Sequence, residues 1–131
     1  MAGTLTISTL SDGTNSTSST NCIQGSAKAW VYFDGYTGGV ATTKASFNVS
    51  SVTRNSTGNY TVAFTSALAD ANYAVAGSSG SYSASVQLGF NVGVATNNTH
   101  PPILKSTTQL TVVVATGASY DSIPMSVVIF R

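Results

Sequence analysis

The side chains able to carry acid–base, nucleophilic or metal chemistry are few. They are His100, Cys22 and the aspartates Asp12, Asp34, Asp70 and Asp121, with no glutamate anywhere in the 131 residues. A nucleophilic triad needs a serine and an aspartate held beside the histidine. Serine is abundant, but no spacing sets one with His100, and no G-x-S-x-G elbow occurs. Pro101 and Pro102 follow His100, so it reads as an exposed loop histidine. Glycoside hydrolysis needs two carboxylates flanking the bond, and four dispersed aspartates offer no such pair by spacing. One cysteine and one histidine cannot complete a four-ligand zinc site within a chain. The glycine-rich segments lack a phosphate-loop lysine and read as turns. The expectation is a chain with no catalytic set, no cofactor and no resident metal.

What remains for function is aromatic. Trp30, Tyr32 and Tyr36 form a candidate interaction surface, because flat rings bury area at low entropy cost. The alternative is that Trp30 and Tyr32 pack inside the domain or against another subunit. Cys22 has no partner for a disulfide within the chain and reads as a small buried apolar residue, the alternative being a reactive or intermolecular thiol. N-x-S/T sequons stand at Asn15, Asn48, Asn55, Asn59 and Asn97. In a chain so rich in serine and threonine, chance accounts for them.

Composition narrows the class further. Charged residues make up 7%, far below the usual fraction of about 25%. The net charge is +1, and the bases Lys28, Lys44, Arg54, Lys105 and Arg131 form no cluster. Nucleic-acid binding, which needs several phosphate contacts, is therefore not expected. Neither is membrane insertion, since no run approaches the roughly 20 apolar residues of a spanning helix. Residues 1–10 carry neither the basic end nor the apolar run of a signal peptide. A neutral surface of hydroxyls and amides does little to keep molecules apart, which favours permanent assembly.

The elements that must position the aromatics read as strands. In Ala27–Phe33, Ala29, Val31 and Phe33 share one face, and Trp30 and Tyr32 the other. A strand apolar on both faces is sandwiched or lies at a subunit contact. Asp34–Gly39 is a turn cluster. Lys44–Thr53 reads as one strand with Phe47 and Val49 in phase. Arg54–Asn59 reads as a turn, and Tyr60, Val62 and Phe64 alternate with polar residues to complete a hairpin. Ser66–Asn72 is a short connection, and a strand begins at Tyr73. From Tyr82 to Val94 every second residue is apolar, the period of a half-buried strand. Thr96–Ser106 is a polar loop, and Leu110–Ala115 and Ser122–Arg131 are the last strands. Thr4–Leu10 has strand character, while Ser11–Ser19 lacks periodicity, so residues 1–21 read as an N-terminal arm and linker and residues 22–131 as one domain. The pattern predicts an all-β chain, an antiparallel β-sandwich or jelly roll of roughly eight strands, with no helix longer than a turn.

The run Ala27-Lys28-Ala29-Trp30-Val31-Tyr32-Phe33-Asp34-Gly35 resembles the opening of small tail-fibre-type virion proteins of tailed bacteriophages. The blocks Phe47–Thr53, Gly58–Phe64 and Asp70–Val75 follow in the order and spacing seen in such proteins. Tyr32 stands where asparagine is expected, and Ala69 where proline often precedes Asp-Ala-Asn-Tyr. From Ser78 onward no resemblance extends. The resemblance implies a virion structural protein assembled in the host cytoplasm. It further implies a homotrimer, with a tail-fibre or receptor-binding role toward a host surface receptor or glycan.

Capsid decoration, in which the chain would clamp the phage head, is the second expectation. A glycan-cleaving enzyme and a free-standing carbohydrate-binding module are weaker alternatives, the first for want of carboxylates. The arm is expected to dock on another virion protein by adding a strand or threading between subunits. Incubated with host envelope polysaccharide, the purified chain is expected to release no new reducing ends. Turnover that disappears when one aspartate is substituted would refute this.

Overall fold

The computed structural model describes residues 3–80, 90–91, 105–114, 121 and 123–131. Among these residues the chain forms two four-stranded antiparallel sheets and a separate two-stranded hairpin. The hairpin pairs β1 (Thr9–Ser11) with β2 (Ser16–Ser18), and a short helix, α1 (Ser19–Gly25), follows it. The first sheet contains β3 (Ala27–Asp34), β4 (Thr42–Phe47), β7 (Ala74–Ser79) and β10 (Met125–Phe130), in the order β4-β3-β10-β7. The second contains β5 (Val49–Ser56), β6 (Asn59–Phe64), β8 (Phe90–Asn91) and β9 (Gln109–Val114), in the order β5-β6-β9-β8. This is the expected all-β antiparallel sandwich.

Its core lies between the central strands of the two sheets. Ala29, Val31 and Phe33 of β3 stand opposite Ile129, Val127 and Met125 of β10, all on the inner face. From the other sheet Tyr60 and Val62 of β6 stand opposite Val112 and Leu110 of β9. These residues join one buried cluster with Phe64, Leu68 and Tyr73. Phe33 and Tyr60 meet edge to face across the layers, their centroids 5.3 Å apart, a favoured geometry for aromatic quadrupoles. The alternation of Ala27–Phe33 is as expected, and so is that of Tyr60–Phe64, because the pleat sends successive side chains to opposite faces.

Several local expectations are corrected. Lys44–Thr53 is not one strand. Asn48 adopts φ 53°, which turns the chain out of the first sheet and into the second. Phe47 is left on the outer surface, while Val49 packs against the core, so the two do not share a face. Asparagine suits this corner because it tolerates the left-handed region. Its side chain also replaces ladder bonds: Nδ2 donates to Lys28 O (3.0 Å) and Ser66 O (3.2 Å), and Oδ1 accepts from Ser66 N (2.8 Å). Arg54–Ser56 continue β5, with Thr57 and Gly58 alone forming the turn before β6; Gly58 takes φ 67° there.

The arm also differs from expectation. Strand structure begins only at Thr9, Ser16–Ser18 supply its partner, and α1 is longer than one turn and runs across the expected boundary between residues 21 and 22. Ser18 caps it by accepting from Asn21 N at 3.1 Å, the usual service of a serine at this position. Cys22 is half-buried and not part of the core. Ile123 is likewise only half-buried, short of the full burial its place in the last apolar run suggested. The alternating run from Tyr82 lies outside the described residues apart from Phe90–Asn91, as does His100.

Asn48→Ala is expected to destabilise the fold by about 2–4 kcal/mol. It removes three hydrogen bonds of about 1 kcal/mol each and leaves a left-handed residue without compensation. Urea denaturation checks this. Asn48→Gly, which relieves the backbone but not the lost bonds, is expected to fall between the two.

Candidate functional site

The outer face of the β4-β3-β10-β7 sheet carries the aromatic side chains that the pleat excludes from the core. The register sets Trp30 beside Phe47 on β4 and Val128 on β10, and Val128 beside Ala76 on β7. A row Phe47–Trp30–Val128–Ala76 therefore crosses the whole sheet. The next row is Ala45–Tyr32–Ser126–Ser78. Trp30 is 37% exposed, Tyr32 42% and Phe47 54%. Of the expected surface residues, Trp30 and Tyr32 thus lie together and outward. Phe47 belongs with them and escaped sequence reasoning. Its signal, an aromatic just before a turn-prone asparagine, becomes readable once Asn48 is known to end β4.

Tyr36 stands apart, on the loop beyond β3. Asp34 shapes that loop by accepting from Tyr36 N and Thr37 N, each at 2.9 Å, and from the Thr37 hydroxyl. The Tyr36 ring lies over the Arg54 guanidinium at 5.6 Å, within the range of a cation–π contact.

Arg54 in turn is clamped by Asp121, which lies just ahead of β10. Arg54 Nε donates to Oδ1 and Nη2 to Oδ2, each at 2.8 Å. Oδ1 also accepts from Gly58 N (3.1 Å) and the Tyr60 hydroxyl (2.9 Å). A buried carboxylate is tolerated only when paired and hydrogen-bonded, and Asp121, 8% exposed, meets that condition. The clamp ties the β5–β6 turn to the segment entering β10. Nearby, Asn59 is 1% exposed and accepts from Asn55 Nδ2 at 2.7 Å. Of the sequon amides, Asn48 is bonded through both its nitrogen and its oxygen, whereas Asn59 is bonded only through its oxygen, and its buried Nδ2 has no hydrogen-bond partner among the described residues.

The four aspartates share one electrostatic condition. Desolvation would raise the Asp121 carboxyl, but bonds from Arg54, Gly58 and Tyr60 outweigh it and hold the group below the ordinary value. The Thr37 hydroxyl, with the backbone of Thr37 and Tyr36, lowers Asp34. Arg131 and then Asn72 N lower Asp70, and backbone N–H groups of Asn15 and Thr14 lower Asp12. A carboxyl serving as general acid near neutral pH is tuned upward; all four here are tuned downward and serve as acceptors in turns and ion pairs. Among the described residues no group of three or more His, Cys or Asp is placed to hold a metal ion. No helix among them is long and apolar enough to cross a membrane.

Fold and surface together define an antiparallel β-sandwich with one aromatic sheet face. No family model matches the chain, and neither a curated protein nor a solved structure matches it.

The clamp gives the fold an acid limit. Because the folded Asp121 value lies below the unfolded one of about 3.9, its contribution is fully present above about pH 4. It is lost as pH falls through the folded value. Asp121→Asn is expected to cost about 2 kcal/mol at neutral pH, the worth of hydrogen bonds to a charged group. It should also flatten the fall in melting temperature below about pH 4. Thermal melts across that range check both.

Proposed function

We propose that the chain is a non-enzymatic structural subunit of a tailed-bacteriophage particle, acting as a homotrimeric tail-fibre or receptor-binding component. The observation that carries this reading is the row Phe47–Trp30–Val128–Ala76 on a sheet face where Trp30 and Phe47 stay exposed. Contiguous exposed apolar surface marks a site of association. A flat face of rings and small residues suits contact with another subunit or with the apolar faces of sugars. The carboxylates support the same reading, because each is already committed to holding the fold. The resemblance of the Ala27–Gly35 run and the blocks after it supplies the kind of particle.

Mass spectrometry of purified particles from the phage whose genome encodes the chain is expected to detect it in stoichiometric amount. Immunogold is expected at the tail extremity. Gold over the head would move the role to capsid decoration, and a chain absent from particles would overturn the proposal.

A further inference from the structure

The N-terminal unit of hairpin and helix is ordered from within. β1 pairs with β2, Ser18 caps α1, and Ser19 N donates to Ser8 O at 2.9 Å. No residue between positions 3 and 26 is buried, so the unit shares no core with the sandwich. Along the chain, Ser26 alone links α1 to β3. Gly25 and Ser26 are both exposed, and a Cβ at Gly25 would meet no atom within 4 Å. Small residues at the end of an element, with open space around them, are a common make-up of a hinge.

One side chain spans this link. The Lys28 ammonium donates to Ser26 Oγ at 3.0 Å and to the Ile23 carbonyl. Ser26 Oγ in turn donates to the same carbonyl at 3.0 Å, so Ile23 O uses both of its lone pairs. Ser26 N donates to the preceding carbonyl, Cys22 O, at 3.1 Å. Both carbonyls belong to the last helical turn and have no partner inside the helix. Lysine near a helix C-terminus commonly serves such groups. Among the described residues no other side-chain hydrogen bond, ion pair or ring contact joins residues 3–26 to the sandwich.

The far side of this fastening is firm. Lys28 is the second residue of β3, and its backbone carbonyl accepts from Asn48 Nδ2 at 3.0 Å. Lys28 thus holds the helix with its side chain and the corner between the sheets with its backbone. The two attachments differ in strength. The sandwich is closed by a buried core, whereas the link is closed by surface hydrogen bonds of one ammonium. Regions with exposed hydrogen bonds and little apolar burial are the first to open.

We infer that Gly25–Ser26 is a hinge latched by Lys28. With the latch closed, the N-terminal unit and the sandwich move as one body. With the latch open, the intact unit swings about Ser26. Lys28 therefore sets the direction in which the sandwich points from its N-terminal unit. This hinge goes beyond the proposed function, does not depend on it, and is tested on the free full-length chain.

Residual dipolar couplings provide the test. In the parent, the couplings of Thr9–Gly25 and of the sandwich are expected to fit one alignment frame. Lys28→Met keeps the aliphatic stem and removes the ammonium. Its Thr9–Gly25 couplings are expected to shrink and to require a frame of their own. The Cα shifts of α1 are expected to stay helical, and the melting temperature of the sandwich to stay unchanged. Ser26→Ala removes the hydroxyl between ammonium and carbonyl, and a smaller loss in the same direction is expected. A parent that already needs two frames overturns the inference. So does a folded Lys28→Met chain that keeps one frame, which would show the unit held elsewhere. An α1 whose shifts turn to coil in that variant also overturns it, since Lys28 would then cap the helix without latching the unit. Should Lys28→Met fail to fold, Ser26→Ala decides, and a single undiminished frame there overturns the hinge.

Discussion

The pleat of β3 is the constraint on which the rest depends. Each residue that turns inward to meet β10 and the opposing sheet obliges its neighbour to turn outward. Val31 and Phe33 in the core therefore set Trp30 and Tyr32 on the surface. Shifting the strand by one residue would exchange the two sets and place a tryptophan and a tyrosine between the sheets. Core and outer face are thus the same decision, and β10, paired to β3 along nearly its whole length, extends both.

Around that decision the polar residues act as fasteners. Asp121 holds the β5–β6 turn through Arg54, Gly58 and Tyr60. Asp34 closes the loop after β3, and Asp70 pairs with Arg131 beyond the end of β10. In a chain with so few charges, each carboxylate has a single structural task.

Much of the fold was legible where one face is buried. Tyr60–Phe64 alternates cleanly, while Ala27–Phe33 and β10 are apolar on both faces, and the strand phase alone groups their inner residues, which are the core. Legibility failed where local chemistry replaced periodicity. Asn48 sits between two in-phase apolar residues, and only its backbone conformation reveals that the strand ends there. Arg54–Ser56 carry turn-like residues but remain paired, because the Asp121 clamp and the ladder to β6 outweigh propensity. The helix α1 contains serine, threonine and asparagine, poor helix formers, and its cap is the one local signal in its favour. For the surface, Trp30 and Tyr32 could be read from the strand phase and Phe47 required the corner, while Tyr36, grouped with them from sequence, stands apart on its loop against Arg54.

The Asn48 corner has a mechanical consequence. It makes the edge strand of one sheet continuous with the edge strand of the other, and its amide is tied to both Lys28 and Ser66. A load that peels β4 from β3 is therefore passed within one residue to β5. The two sheets share this hinge like covers on a common spine, so the sandwich resists shear along that side as a unit and cannot open one leaf at a time.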